Sequence, residues 1–379
     1  MRTVILRSDD ATSFATGISE AARALRAGEL VIFPTDTVYG LAANAAHPPA
    51  TARVRALKSA AAALPLTVHL GQRRDAGQYL TSPSALARRL ARRAWPGPVT
   101  LVCPESDPAG TAVAARYPDV RLDELYAGGR IGLRCPDSAV AMRLVLEADV
   151  PVVATAAARS GSAAPVELSA ALEDFDGEVR FAIDGGRTRY AQPSTVVEVD
   201  GNQWRIVRPG AIEERALARY AVSEVLFVCT GNSCRSPMAE YLFRRELGRQ
   251  LGLADAELEA AGYRVGSAGT SAYAGGTASS GAIEALAGRQ IDLTPHRSRP
   301  LAVELLHRAQ WIYVMSDEHR RAVLELLPAA ADRVQLLDAE GPVSDPFGGT
   351  VERYNACAEQ IERAVRRRVE EFVNEDRDW

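Results

Sequence analysis

Val225-Leu226-Phe227-Val228-Cys229-Thr230-Gly231-Asn232-Ser233-Cys234-Arg235-Ser236-Pro237-Met238-Ala239-Glu240 is the stretch that decides the fold of the second half of the chain. Its four leading apolar residues read as a buried strand, and the polar, glycine-containing run after them reads as a tight loop. Pro237 suits the first turn of a helix, where its missing N–H costs nothing, and the pattern predicts a helix over 237–250. Further strands are expected at 263–267, 311–315 and 333–336. They alternate with helical patterns at 280–287, 317–326 and 351–373, and this alternation predicts a compact, doubly wound parallel sheet.

The loop carries chemistry. Cys229 and Arg235 bracket five residues between a strand end and a helix N-terminus, where backbone N–H groups form a nest for an anion and the helix dipole assists. The same field favours the thiolate of Cys229, which becomes a nucleophile. Arg235 can clamp two oxygens of a transferring phosphoryl group. Ser236 can donate to the Cys229 sulfur, and Asn232 can hold the loop in its turn. Taken as a pair, Cys229 and Arg235 fit equally a strand-end cysteine beside a surface arginine. A second element tips the balance: Ser344-Asp345-Pro346-Phe347-Gly348-Gly349, where Asp345 is a proton donor for the leaving group.

The first half has a different rhythm. Strand-like runs lie at 3–6, 30–34, 65–70, 99–103, 130–134 and 151–155, with helices expected at 18–27, 49–59, 84–93 and 139–148. Strands dominate from 179 to 207, and 213–220 is a short, polar, helix-prone connector. The fold class is therefore α/β in both halves, with domains over 1–213 and 222–379. Ala60–Ala63 is the one low-complexity patch.

Composition narrows the class. The 379 residues are 47% hydrophobic and 24% charged, which suits globular protein and excludes collagen-like or disordered chains. A net charge of −4 provides no global basic field for nucleic acid, so any RNA contact is local. Five widely spaced cysteines (Cys103, Cys135, Cys229, Cys234, Cys357) suggest a reducing compartment. The N-terminus lacks the apolar run of a signal peptide and no window reaches the length of a membrane span, so the expectation is a cytoplasmic protein without membrane partners. Lys58 is the single lysine among 44 basic residues. A compact ammonium on a thin stem does what a planar guanidinium does not, which marks Lys58 as a candidate binding residue.

Residues 222–379 resemble the low-molecular-weight protein-tyrosine phosphatase family, through the Cys229 loop, Ser267-Ala268-Gly269-Thr270 and Asp345-Pro346. The resemblance implies a phosphocysteine on Cys229, Arg235 as transition-state clamp and Asp345 as general acid then base. Thr230, Gly231, Asn232, Ser233, Cys234 and Ser236 complete the phosphate loop, and no cofactor is implied. At the position of Ser233 the family's tyrosine phosphatases carry an aliphatic residue and its bacterial protein-arginine phosphatases a threonine. Serine there, with Asp345-Pro346-Phe347-Gly348-Gly349, favours a phosphoarginine protein over a phosphotyrosine protein as substrate. Cys234 is placed to form a reversible disulfide with Cys229, whereas Cys357 reads as core.

The first half carries Phe33-Pro34-Thr35-Asp36-Thr37-Val38-Tyr39-Gly40-Leu41, followed in order by six further pieces: Lys58, Pro65–Leu70, Trp95–Leu101, Ile131–Arg134, Ser194–Val197 and Arg208-Pro209-Gly210-Ala211-Ile212. Together they resemble the YrdC-like threonylcarbamoyl-adenylate synthase family over residues 5–213. The resemblance implies an open α/β fold with a concave, positively lined cleft. It also implies the joining of L-threonine, bicarbonate and ATP with Mg²⁺ into threonylcarbamoyl-AMP for tRNA modification, with tRNA or tRNA-modifying enzymes as partners. Thr35, His69, Arg134 and Ser194 match the threonine side; Lys58 and Arg208 match the nucleotide side; no resident metal is implied. His69 and Ser194 fit equally a satisfied core histidine and an ordinary strand serine.

The chain departs from that family at Ala60, Ala156, Ala158 and Ala164, where a cation and three hydrogen-bonding side chains are usual. A hydrogen bond to a charged group contributes ~1.5–3 kcal/mol, so such losses weaken a nucleotide site. Backbone groups, Arg159 or Arg130 could compensate. Two readings follow for the whole chain: a synthase fused to a phosphatase, or a phosphatase whose first half only senses threonine or binds RNA.

Overall fold

The computed structural model describes residues 2–7, 11–58, 66–377 and 379. Ser59, Ala60 and the rest of the low-complexity patch lie outside the described residues. The chain divides into two compact units, residues 1–220 (with 378–379) and 221–377.

In the first unit ten strands form one mixed sheet. They are β1 (Val4–Leu6), β2 (Val31–Phe33), β3 (Gly40–Asn44), β4 (Thr67–His69), β5 (Val99–Pro104), β6 (Arg130–Arg134), β7 (Val152–Ala156), β8 (Phe181–Ile183), β9 (Thr195–Asp200) and β10 (Gln203–Arg208), in the order β1-β8-β2-β3-β7-β4-β6-β5-β9-β10. Parallel and antiparallel pairs are mixed: β2-β3-β7-β4 pair antiparallel, whereas β4 runs parallel to β6 with His69 opposite Arg134, and β5 runs parallel to β9 with Val99 opposite Thr195. The helix Ala11–Arg26 shows an apolar stripe at Ile18, Ala21, Ala22 and Leu25, the spacing of one helical face. That stripe packs with Ala141, Leu144, Val145 and Ala148 of the helix Ala139–Ala148.

Strand β3 is absent from the sequence reading. Gly40-Leu41-Ala42-Ala43-Asn44 is poor in β-branched residues, yet all five are buried. Helices Ala11–Arg26 and Pro48–Leu57 pack on this strand, and small side chains let them approach. The helix Leu168–Phe175 was also not foreseen; it buries Leu168, Ala171 and Phe175. Helix Glu214–Tyr220 belongs with the first unit, where Arg93 Nη1 donates to Tyr220 O at 2.8 Å.

The second unit holds β11 (Ser223–Cys229), β12 (Tyr263–Gly269), β13 (Trp311–Val314) and β14 (Val334–Leu336), all parallel, in the order β12-β11-β13-β14. The continuous apolar run of β11 has a simple cause: the strand is covered on both faces. Val225 and Phe227 pack with the helices Arg235–Leu251, Ser280–Ala287 and Val351–Arg377. Leu226 and Val228 face Leu305, Leu306 and Val323 on the opposite side. Helices thus lie on both faces of a parallel sheet. Helix Val303–Arg308 is the element the sequence reading lacked here, and the closing helix runs four residues further than expected, to Arg377.

Candidate active sites

Strand β11 ends at Cys229, and the following helix begins at Arg235, so the five intervening residues turn between a strand and a helix N-terminus. Carbonyl oxygens of this loop are engaged from outside. Cys229 O accepts from Thr270 N at 2.9 Å, Thr230 O from Ser271 N at 2.9 Å and Ser233 O from Ser279 N at 2.9 Å. The opposite edge of the backbone is left for a ligand: among the described residues, no protein acceptor takes the N–H of Gly231, Ser233 or Cys234. This is the geometry of an anion nest at a helix terminus. Gly269 permits it, because a Cβ there would stand 2.5 Å from Thr230 O and 2.8 Å from Asn232 N.

Asn232 holds the turn. Its φ is +49°, a left-handed conformation that Asn tolerates, and each of its polar groups is used. The main-chain N–H donates to Cys229 Sγ at 3.3 Å, and Nδ2 donates to Ser236 Oγ at 2.9 Å and Ser267 Oγ at 2.8 Å. Oδ1 accepts from Arg299 N at 2.9 Å, and its carbonyl lies 2.8 Å from His296 Nε2. A carbonyl only accepts, so Nε2 carries the ring proton of His296. Ser236 Oγ accepts from Asn232 and lies 2.9 Å from Cys229 Sγ, which leaves its own proton for the sulfur. Ser267 Oγ passes the network on, donating to the buried Glu240 Oε2 at 2.6 Å. Burial pushes the Glu240 carboxyl up.

Arg235 and Asp345 meet although the sequence separates them widely. Arg235 Nη2 donates to Asp345 Oδ2 at 2.6 Å, and Nη1 reaches Val343 O at 3.4 Å. The guanidinium is buried while the carboxylate is half exposed, as suits a group that meets substrate from the rim. Cys234 Sγ donates to Ser279 Oγ at 3.1 Å and lies 3.5 Å from Tyr354 OH. All five cysteines are free thiols. Two histidines went unnoticed in the sequence. Beside His296, His319 lies 2.9 Å from both Thr230 Oγ1 and Ser316 Oγ; burial and then Arg235 push it down to about 4, so it is a neutral prop for the loop.

In the first unit the expected residues fall into three groups. Arg134 is fully buried and donates from Nη2 to Asp36 Oδ1 at 2.5 Å. Beside it, His69 is pushed down to about 3 by burial and then by Arg134. His69 Nδ1 lies 3.1 Å from Thr67 O and so carries the proton, leaving Nε2 as an acceptor. Thr35 Oγ1 donates to Val38 O at 2.6 Å and folds the loop after β2 back on itself. In the second group Arg208, matched to the nucleotide side, donates to Ser194 O at 2.9 Å and Ser194 Oγ at 3.1 Å, beside Thr100 Oγ1. In the third group Lys58 Nζ donates to Ala156 O at 2.9 Å and also to Ala158 O. Burial pulls the Lys58 ammonium down. The lysine thus sits at two of the alanine departures, held by main chain where side-chain donors are usual.

Neither compensating arginine is idle. Arg130 pairs with Glu198 at 3.3 Å and Asp200 at 2.8 Å on the neighbouring β-ribbon. Arg159 Nη2 donates to Asp174 O at 3.1 Å and Nη1 to Leu57 O at 3.4 Å.

Comparison with known proteins follows this division. The Sua5/YciO/YrdC family model, described as "Telomere recombination", matches residues 23–210, and "Low molecular weight phosphotyrosine protein phosphatase" matches residues 224–378. The chain belongs to both families. Its YrdC-like unit is similar to the threonylcarbamoyl-AMP synthase of Pyrococcus abyssi, 31% identical over 227 residues, or 58% of this chain and 63% of that protein. The chain thus spans under two thirds of that relative's length. Its phosphatase-family unit is similar to the protein-arginine-phosphatase of Bacillus subtilis, 34% identical over 159 residues, covering 41% of this chain and 99% of that protein. A solved Pyrococcus abyssi Sua5 variant aligns with 88% of this chain and 98% of its own, at a TM-score of 0.50 and 22% identity, a likeness of fold. Among the described residues no helix is long and apolar enough to cross a membrane.

Proposed function

We propose that the chain carries two activities: a cysteine-dependent protein phosphatase in residues 222–379 and a threonylcarbamoyl-AMP synthase in residues 1–213. The observation that carries the first is the hydrogen-bonded set Cys229–Ser236–Asn232 at a loop of inward N–H groups, with Arg235 and Asp345 in contact above it. In the reaction, the Cys229 thiolate attacks phosphorus while Asp345 protonates the departing group, so a P–S bond forms as the ester or phosphoramidate bond breaks. Arg235 transfers its bonds from Asp345 to the phosphoryl oxygens. Water activated by Asp345 then releases phosphate from the phosphocysteine. A phosphoarginine protein is the favoured substrate: Ser233 gives the loop a polar side chain, and the matching relative is named for arginine.

In the synthase reading, threonine is held by Thr35, His69, Arg134 and Ser194. The neutral His69 accepts at Nε2 from the threonine hydroxyl, and Arg134 offers its remaining N–H groups to the carboxylate. Lys58 and Arg208 serve the phosphates of ATP, with Mg²⁺ entering as part of that substrate. Bicarbonate supplies the carbamoyl carbon as an N–C bond forms to the threonine amine with loss of water, the carboxylate so formed attacks the α-phosphorus of ATP as pyrophosphate leaves, and the adenylate feeds tRNA modification in the cytoplasm. Alanine at 156 and 158 favours the second reading, a threonine-sensing or RNA-binding unit without synthesis.

Two experiments decide. Cys229→Ser abolishes hydrolysis of a small aryl phosphate; wild-type rates in that variant would remove the nucleophile assignment. Incubation with L-threonine, bicarbonate, Mg²⁺ and ATP yields threonylcarbamoyl-AMP, lost in Lys58→Ala. Threonine binding without adenylate would leave the sensor reading in its place.

A further inference from the structure

Three side chains on one face of the closing helix, Tyr354, Cys357 and Gln360, are spaced three residues apart. Tyr354 OH meets Cys234 of the phosphate loop at 3.5 Å. The other two meet the loop that bears Asp345. Gln360 Oε1 accepts from Ser344 N at 3.2 Å, while its Nε2 donates to Asp338 Oδ2 at 3.0 Å and Pro342 O at 3.3 Å. Cys357 Sγ donates to Ser344 O at 3.3 Å. One carboxamide and one thiol therefore grip the loop at three points, the last being the residue before Asp345.

We propose that Gln360 and Cys357 are positioning residues for Asp345, setting the direction from which it delivers its proton. The inference rests on the phosphatase reading. A peptide group is planar, so fixing its N–H or C=O fixes the whole unit. Gln360 holds the plane that enters Ser344, and Cys357 holds the plane that leaves it and leads into Asp345. Elsewhere the loop is anchored by Val343 N donating to Met315 O at 2.8 Å, by the buried Val343 side chain and by the buried ring of Pro346. These hold the loop in place without touching the two peptide groups flanking Ser344; of the remaining described side chains Arg235 Nη1 reaches one of them, at Val343 O over 3.4 Å. Asp345 itself is half exposed, and among the described residues its hydrogen-bond partners are Arg235 and the Phe347 N–H. Since Arg235 must turn to the phosphoryl group, its grip on Asp345 is lost at the moment of proton transfer. The grip from the closing helix persists. Burial pushes the Cys357 thiol up to about 12, so it remains a donor at neutral pH.

The test compares two esters, phenyl phosphate, whose leaving group is strongly basic and needs the proton, and p-nitrophenyl phosphate, whose leaving group needs it little. Gln360→Met keeps the side-chain length and removes the amide. It lowers kcat/KM, which reports the leaving-group step and not the later hydrolysis of the phosphocysteine, ~10-fold for phenyl phosphate and less than ~3-fold for the nitrophenyl ester, and adds no further loss in an Asp345→Asn background. Cys357→Ala behaves alike, while Cys357→Ser, which still donates, restores the phenyl phosphate rate. Equal losses on both esters, or losses that persist beside Asp345→Asn, would overturn the positioning role and leave a general effect on folding. Wild-type protein that hydrolyses neither ester would instead overturn the phosphatase reading, and this assignment with it.

Discussion

Arg235 and Asp345 form a 2.6 Å ion pair across 110 residues of chain. The pair ties the first turn of the phosphate-loop helix to the loop before the closing helix, so clamp and acid are held within reach of the same point in space. One partner is buried and the other half exposed, and a phosphoryl group arriving at the loop competes with the carboxylate for the guanidinium.

Asp345→Asn keeps a partner for Arg235 but removes the proton. Turnover of a phosphoarginine peptide should fall about 10²–10⁴-fold, the usual worth of a positioned acid. For p-nitrophenyl phosphate kcat/KM, which reports the leaving-group step alone, should fall much less. Steady-state kinetics on the two substrates check this, and equal losses would argue against a proton-delivery role.

Asn232 separates backbone strain from hydrogen bonding. Asn232→Gly accepts the positive φ but leaves Ser236, Ser267 and Arg299 N without their partner. Asn232→Ala loses the same bonds and adds strain. Both should lower stability, by about 2–4 kcal/mol for Ala and somewhat less for Gly. Denaturant titration orders the two variants; identical losses would show that the left-handed turn costs nothing.

Gly269→Ala places a methyl against Thr230 O and Asn232 N, both main-chain atoms with nowhere to move cheaply. The phosphate loop must shift by a fraction of an ångström to one ångström. Aryl phosphatase activity should fall about 10²-fold, since displacement on that scale costs as much in other active sites. Vanadate or phosphate affinity should fall with it, and an unchanged affinity would mean the loop does not need this close contact.

His69 gives the first unit an acid-side sensitivity. In the fold it is pushed down to about 3, while an unfolded histidine titrates near 6.5. The unfolded state therefore binds the proton first, and stability is complete above pH ~6.5 and declines as pH falls toward ~3. His69→Gln, which cannot take up a proton, should flatten that decline. Denaturation midpoints across this range test it; parallel curves for both proteins would place the acid sensitivity elsewhere.

How much of this was legible beforehand depends on the range of the interactions concerned. The strand–loop–helix around Cys229 is local: a continuous apolar run, a glycine, an asparagine able to take positive φ, and a helix start, all within sixteen residues. Helix Ala139–Ala148 and strand Arg130–Arg134 end where their patterns end, because a buried stripe dictates the helix and a continuous buried run the strand. Sequence alone thus determined the α/β class and the two families, and singled out Cys229, Arg235 and Asp345 as the candidates for nucleophile, clamp and acid.

The tertiary structure decided what depends on distant neighbours. Gly40–Asn44 is a strand because helices pack on it and need small residues there, a reason found outside the strand itself. His296, His319 and Tyr354 carry no local pattern, and only folding places them at the phosphate loop. Arg208 sits with Ser194, Lys58 rests on the carbonyls of two alanines, and Arg134 is neutralised by Asp36, because strand order and crossing loops set their neighbours. Hydrophobic periodicity reports which face of an element is buried. Which polar groups meet across elements is set by the packing of those faces, and a hydrogen bond forms only once that packing has brought donor and acceptor within about 3 Å.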